Sequence, residues 1–178
     1  MRYVAFLRAI NVGGRVVKMD VLRRLFASMG FAGVETFIAS GNVIFESAAR
    51  SASRLEPEIE AALERALGYA VATFVRAVPD VAELARHPLV SGAKVPDGAS
   101  LYVAFLRAAP SRESARKLIA FNNEVDELQV YRREVLWTVR GKFLDSTFSA
   151  AQLEKTLAAP ATVRNATTVR KLAAKYAR

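Results

Sequence analysis

Along the chain, segments with the helical spacing of apolar residues alternate with short apolar runs typical of strands. This succession of segments occurs twice. Apolar residues three or four positions apart predict helices at residues 18–30, 55–67, 111–122, 150–158 and 168–177. Runs rich in β-branched and aromatic residues predict strands at residues 3–9, 34–40, 43–46, 71–78, 102–108, 127–131, 135–139 and 161–163. The predicted order is therefore β-α-β-β-α-β, repeated once and followed by a last helix.

An internal repeat supports this order. Residues 3–9 and residues 102–108 share the string YVAFLRA, an identity too long for coincidence in 178 residues. Each half has the order of the split β-α-β motif, with two helices on one face of an antiparallel sheet. We therefore predict an α+β protein of two tandem ferredoxin-like units with antiparallel sheets, plus a C-terminal helix. Residues 1–78 form unit one, residues 79–100 a linker with a short helix, and residues 101–178 unit two with the C-terminal basic helix.

The composition excludes several kinds of chemistry. The chain has no cysteine, so we expect no disulfide, thiolate nucleophile or cysteine metal site. Its one histidine, His87, excludes a His-His metal pair, and we expect neither a metal nor a cofactor. Because Pro88 follows, a turn histidine is favoured over a lone general base. No apolar run has the roughly 18 residues of a membrane helix, and the N-terminal stretch is too short for a signal peptide. We expect a cytoplasmic protein with no membrane partner.

The charge of the chain favours anionic partners. A formal net charge of +9 raises the expectation of nucleic acid, nucleotides or acidic lipid. The alternative is a basic composition that reflects only GC-rich coding. The last helix is basic and amphipathic, with an apolar stripe at Val169, Leu172 and Tyr176. Docking of this helix on the second sheet is favoured over contact with an anionic polymer, and the two are compatible.

One glycine-rich segment has the composition of an anion site. Residues 8–15, RAINVGGR, follow the first strand and lead into a helix. A turn at Gly13 and Gly14 would turn backbone N–H groups toward an anion, with Arg8, Arg15 and Lys18 as cations. The spacing is neither GxxxxGK[ST] nor GxGxxG. From these residues alone, a glycine turn with solvated basic side chains is favoured.

Three motifs, RAINVGG, SGNVIF and the stretch TVRNATTVRKL at 162–172, resemble those of a bacterial family of unknown function. It is the domain-of-unknown-function family numbered 1697, whose usual motifs are RGINVGG, SGN(V/I)xF and TxRNWxTVxKL. The resemblance covers essentially the whole chain and implies the duplicated ferredoxin-like fold, but no activity. Ala9 stands in place of the usual glycine, Ala166 in place of the aromatic residue after Arg-Asn, and Thr147 in place of an expected lysine. A family site that used this tryptophan and lysine would be lost here.

The polar residues of these motifs are the predicted ligand-binding set. They are Arg8, Asn11, Gly13, Gly14, Lys18, Ser40, Asn42, Arg164 and Asn165. Arginine forks suit phosphate or carboxylate, and asparagine offers both a donor and an acceptor. A structural role is favoured for each residue singly, whereas the cluster is more typical of an anion site. The glutamates at 56, 58, 60 and 64 are interpreted as the solvated face of a helix.

Three classes of function are compatible with these features. The leading hypothesis is that a basic surface binds a phosphate-bearing ligand, either nucleic acid or nucleotide. The strand aromatics are predicted to be mostly core, because no RNP1-type string occurs. The alternatives are a small-molecule enzyme with a basic pocket between the two units, and a non-catalytic interaction protein. No catalytic residue is assigned.

Overall fold

The structure is a computed structural model that describes residues 1–11, 13–38 and 41–177. The chain divides into two compact units, Met1–Asp80 and Val81–Arg178. Each unit contains one four-stranded antiparallel sheet, with strands in the order expected of the split β-α-β motif. The predicted α+β fold of two tandem ferredoxin-like units with a C-terminal helix is confirmed. No helix among the described residues is long and apolar enough to cross a membrane.

The first unit is built from four strands and two helices. Its elements are β1 (Arg2–Leu7), α1 (Met19–Ser28), β2 (Ala32–Thr36), β3 (Asn42–Glu46), α2 (Ala52–Leu67) and β4 (Thr73–Ala77). The strand order is β2-β3-β1-β4. Side chains at alternate positions of the strands pack with the apolar stripes of both helices, among them Tyr3, Ala5, Leu7, Phe26, Phe45, Ile59 and Leu63. Val4 and Phe6 on the other face of β1 are buried too, which is why this strand is continuously apolar.

The second unit repeats this plan and adds helices. Its elements are α4 (Pro88–Ser91), β5 (Ala99–Phe105), α5 (Arg112–Ile119), β6 (Asp126–Tyr131), β7 (Glu134–Arg140), α6 (Ala150–Leu157), β8 (Thr162–Asn165) and α7 (Ala166–Tyr176). Helix α3 (Val78–Arg86) begins at the end of the first unit and continues into the second. The strand order is β6-β7-β5-β8, and the core contains Ala104, Leu118, Trp137, Phe148 and Leu153.

Strand register shows that the two halves correspond residue by residue. Tyr3 lies opposite Phe45 on β3, and Tyr102, the equivalent residue of the second copy of YVAFLRA, lies opposite Trp137 on β7. The helices correspond as well: Glu60 on α2 accepts from the N–H of Thr73 (2.7 Å), and Glu154 on α6 accepts from that of Ala161 (2.8 Å). Each glutamate therefore satisfies a backbone donor at the outer strand of its sheet, where no further strand pairs.

The solvated-face interpretation of the α2 glutamates is wrong for Glu56 and Glu60. Glu56 is 3% exposed and accepts from the N–H of Val75 at 2.9 Å. The side chain of Arg76 lies 3.9 Å from the same carboxylate and is 2% exposed. Edge-strand N–H groups attract these carboxylates inward, which helical periodicity alone does not reveal. Glu58 and Glu64 are exposed, as predicted.

The C-terminal helix docks within the second unit, as favoured from its stripe. Val169, Leu172 and Tyr176 are buried, and α7 packs against α4 and strands β5 and β8. Arg170 donates to the carbonyl of Val90 (3.1 Å) and to Thr167 (2.9 Å), so one of the basic residues serves docking. Lys171 remains exposed on the outer face.

His87 caps a short helix and is partly buried. Its Nδ1 accepts from the N–H of Leu89 at 3.3 Å, which requires that nitrogen to be unprotonated, and its ring lies 4.7 Å from that of Tyr131. Burial, together with the positive charge of Lys94, lowers the pKa of His87 below 6.5. The turn position is confirmed, but the ring is packed rather than fully exposed.

This cap predicts a pH-dependent stability. Because the folded state favours neutral His87, its stability is fully present above the unfolded pKa and is lost as pH falls through the lower folded pKa. Urea unfolding from about pH 7.5 to about pH 5.5 is expected to show falling stability. His87→Asn keeps a capping side chain and removes the titration, so its stability is expected to change less over this range. An equally steep fall in the variant would contradict this assignment, because the chain has no other histidine.

Candidate functional site

The RAINVGG segment forms the connection from β1 to α1, at the carboxyl end of β1. The N–H of Leu7 donates to the carbonyl of Gly41 (2.8 Å), and that of Arg8 donates to the carbonyl of Ala72 (2.9 Å). Ala9 has a φ of 52°, in the left-handed region, so the chain turns sharply here. The first strand consequently ends at Leu7 rather than at residue 9. We call residues 8–18 the basic loop.

Two interactions close the basic loop. Asn11 accepts from the N–H of Val17 through Oδ1 (2.7 Å) and so joins the two ends of the glycine turn. Tyr69, which follows α2, donates its hydroxyl to the carbonyl of Ile10 (3.3 Å). Ile10 is buried and anchors the middle of the loop. The contact of Asn11 is therefore structural, the role that the sequence favoured for this residue taken singly. By holding the two ends of the turn together, Asn11 preorganises the exposed residues between them.

Positive charge and an exposed glycine turn occur together in the basic loop. Arg8, Arg15 and Lys18 are exposed, and the Arg15 guanidinium lies 4.2 Å above the ring of Tyr69. Gly13 and Gly14 are exposed with φ of 68° and 80°. Lys18 is the N-cap residue of α1 and provides no side-chain cap. A helix N-terminus favours negative charge, and part of that preference is already met by Asp20, which pairs with Arg23.

Gly41 of the SGN motif packs directly against this loop. A Cβ on Gly41 would lie 2.9 Å from Ile10 Cγ2 and 3.2 Å from Leu7 Cβ, and its φ is 72°, so only glycine fits. Asn42 is buried, and its amide donates to the carbonyl of Phe37 (2.9 Å). Ile38 has a φ of 55°, a strained conformation for a β-branched residue. Ser40 lies outside the described residues.

The structure places Arg164 and Asn165 in the second unit, where both have internal contacts. Arg164 donates to Thr162 (2.8 Å) and to the carbonyl of Val163 (2.9 Å), and burial lowers its pKa to about 10. Asn165 caps α7 by accepting from the N–H of Thr167 (2.8 Å). This cap explains why α7 begins at Ala166 rather than at residue 168.

Arg76 is a counterpart of Arg164 that the sequence did not reveal. Arg76 lies opposite Val4 on β1, and Arg164 lies opposite Val103, the residue equivalent to Val4, on β5. Both units therefore keep a buried arginine at the same place in the sheet. The shared string aligns only the first strands, and the different connection lengths that follow hide the correspondence between these two residues.

A buried carboxylate organises the second unit and was also missed. Asp126 accepts from Trp137 Nε1 (2.8 Å), from Ser146 Oγ, and from Thr147 through its N–H (2.9 Å) and its hydroxyl (3.2 Å). Burial acts to raise the pKa of Asp126, but these hydrogen bonds outweigh it and hold the pKa below 3.8. Thr147, at the position of the expected family lysine, thus serves a buried acid in this chain.

Ala166, the other departure from the family motifs, and Asp145 both have structural roles. Ala166 is buried in the first turn of α7. Asp145 accepts from the N–H of Lys142 (2.8 Å) in the single turn Phe143–Asp145. Among the residues that the structure describes, no group of three or more His, Asp or Glu side chains is placed to hold a metal ion.

The fold and this geometry define a duplicated ferredoxin-like protein with an exposed basic loop in its first unit. The chain belongs to the family described as "Protein of unknown function (DUF1697)", whose model matches residues 1–136. These residues contain both the basic loop and the SGN motif. The structure of the conserved bacterial protein SP0830 from Streptococcus pneumoniae has a similar fold, with a TM-score of 0.77 at 20% identity. The similarity covers 99% of this chain and 98% of that one. No curated protein matches the sequence.

Proposed function

We propose that the basic loop binds a phosphate-bearing ligand, either nucleic acid or nucleotide. The observation that carries this proposal is the preorganised glycine turn. Gly13 and Gly14 lie exposed between Arg8 on one side and Arg15 and Lys18 on the other, at a helix start with no side-chain cap. Backbone N–H groups and arginine forks are the donors that phosphate oxygens accept.

Charge and backbone geometry support the same site. Residues 1–19 contain no acidic residue, so the loop approaches an anion without local repulsion. The left-handed conformations of Ala9 and Ile38 store strain in neighbouring connections, a feature that clusters at binding sites. Arg164 and Asn165 are left out of the proposal, because their side chains hold β8 and the start of α7.

Removing two cations from the basic loop tests the proposal. Affinity for a labelled single-stranded RNA is measured by fluorescence anisotropy over a series of salt concentrations. Three phosphate contacts predict a slope of about −2 for log affinity against log salt, and Arg15→Ala with Lys18→Ala is expected to reduce it to about −0.7. Unlabelled nucleoside triphosphate is added as competitor, to separate a nucleotide site from a polymer site.

The matched control is Arg50→Ala with Arg54→Ala, which changes the net charge equally. Arg50 and Arg54 are exposed and follow β3, which runs antiparallel to β1, so they lie at the opposite end of the first sheet. The control is expected to keep most of the affinity and slope. Equal losses in the two double variants would mean that general positive charge, and not the basic loop, attracts the ligand.

A further inference from the structure

A groove runs between helices α5 and α6 on the outer face of the second unit. This open groove has a volume of about 620 Å³ and is lined by Lys117, Ala120, Phe121, Gln152, Lys155 and Thr156. Phe121 packs against Phe148, with ring centroids 5.1 Å apart, yet remains 39% exposed. An exposed phenyl ring held in place by a buried one gives the groove a firm apolar wall. We call this concavity the α5–α6 groove.

The first unit has the equivalent groove between α1 and α2, which shows what the fold alone produces. That groove has a volume of about 350 Å³ and is lined by Leu25, Ser28, Met29, Glu58, Ala62, Arg65 and Ala66. The shared contact of Glu60 and Glu154 with the outer strand aligns α2 with α6. Gln152 then corresponds to Glu58, and Lys155 to Ala61.

The other walls differ in the same direction. Leu118 is the buried residue of α5, and Phe26 is the second of the two buried residues of α1. Aligning Phe26 with Leu118 places Lys117 at the position of Leu25 and Phe121 at that of Met29, and all four of these residues line the grooves. Among the described residues, the groove of the second unit therefore has two lysines and no acid in its lining, where that of the first unit has one arginine, Arg65, and one glutamate. The second groove also has an exposed aromatic ring. Neither the fold nor the core requires these differences.

The charges of the α5–α6 groove are unbalanced. No acidic side chain of the described part of the chain lines it. Lys117 pairs with Glu113 one turn earlier on α5, at 2.6 Å, an exposed contact that solvent weakens. Lys155 is an exposed residue, and within the described residues no side chain forms an ion pair with it. An anion in the groove would therefore meet Lys155, which is available, and Lys117, which is held only by an exposed ion pair.

We infer that the α5–α6 groove binds a small organic anion with an apolar body, such as an aliphatic or aromatic carboxylate. The carboxylate would lie between Lys117 and Lys155, and the apolar body would cover the exposed face of Phe121. The volume is within the range of about 300–1,000 Å³ found for small-molecule sites. An inorganic anion would leave Phe121 in water, and a neutral apolar molecule would leave the lysines unused.

The test uses octanoate as probe, with octanol as its uncharged counterpart, and follows the backbone amide resonances of the full chain. Octanoate is expected to shift resonances of α5 and α6 and to bind at least about tenfold more tightly than octanol. Lys155→Ala is expected to weaken octanoate about fivefold, and Phe121→Ala about tenfold. Lys171→Ala removes an exposed lysine of the same unit, from α7, and is expected to leave octanoate affinity unchanged.

Three results would overturn the inference. Equal affinity for octanoate and octanol would show that the lysines do not contribute. Loss of affinity in Lys171→Ala as large as in Lys155→Ala would show nonspecific attraction. Shifts caused by an acidic peptide but not by octanoate would show a macromolecular surface instead of a small-molecule site. Because Lys155 is exposed on α6, its replacement is expected to leave the fold intact, which the spectrum itself verifies.

Discussion

Replacing Asp126 with alanine is expected to lower the free energy of unfolding of the second unit by about 3–5 kcal/mol. The substitution removes the acceptor for Trp137, Ser146 and Thr147 at once, and Trp137 Nε1 is fully buried with its donor directed at Asp126. Trp137 is the only tryptophan, so its fluorescence during urea unfolding reports on this unit. Its emission in the folded variant is also expected to shift.

Two further variants show whether the effect comes from the hydrogen bonds. Asp126→Asn keeps one acceptor oxygen but turns an amide toward a donor, and an intermediate loss is expected. Asp97→Ala removes an exposed carboxylate from the same unit and is expected to change stability by less than about 0.5 kcal/mol. A loss below about 1 kcal/mol for Asp126→Ala would show that Asp126 does not organise this part of the core.

Replacing Glu56 with alanine is expected to destabilise the first unit by about 3 kcal/mol. The change leaves the N–H of Val75 without its carboxylate acceptor and removes the acid beside the buried guanidinium of Arg76. The N–H of Val75 and the guanidinium of Arg76 are both buried, so without Glu56 the cost of removing each from water is only partly offset. Urea unfolding followed by circular dichroism measures the loss, and hydrogen exchange of the Val75 amide localises it to β4.

Glu64→Ala is the matched control, because Glu64 is exposed on the same helix. It is expected to be nearly neutral and to leave exchange in β4 unchanged. Glu56→Gln keeps an acceptor for Val75 but no charge near Arg76, and therefore separates the two contributions. If Glu56→Ala and Glu64→Ala proved equally mild, the edge of the first sheet would not depend on this carboxylate.

These two carboxylates lie in different units and perform different tasks. Glu56 completes a backbone edge that the sheet itself cannot pair, a task that Glu60 and Glu154 share. Asp126 instead gathers donors from β7 and from the connection that precedes α6. Both are expected to be more important for folding than the exposed ion pairs, which water and salt weaken.

The local sequence pattern was sufficient to predict most of the helices and strands. The helix predicted at residues 111–122 begins directly after Ser111, which caps it by accepting from the N–H of Ser114 at 3.0 Å. The docked face of α7 was predicted from its apolar stripe. Such signals are carried by neighbours in the chain, so they are readable without coordinates. The strand ends were less accurate, because Ala9 turns the chain through an unusual φ that its residue type does not indicate.

The candidate site was predicted only in part, for a physical reason. The basic loop and the SGN turn were expected to carry function, and the structure brings Gly41 into contact with Ile10. Asn11, Asn42 and Asn165 all prove to hold backbone groups, because an asparagine side chain satisfies whichever donor or acceptor the fold leaves open. Asparagine is typical both of turns and of ligand sites, so the residue type alone does not distinguish the two roles.

By itself, the sequence determined the two repeated units, their order of helices and strands, and the basic loop after the first strand. Periodicity, caps and an exact internal repeat express these within short stretches of chain. Only the tertiary structure decided that Glu56, Arg76 and Asp126 are buried and that the α5–α6 groove differs in charge from its counterpart. Those properties depend on tertiary contacts between residues that are distant in the sequence, and no local sequence pattern encodes such contacts.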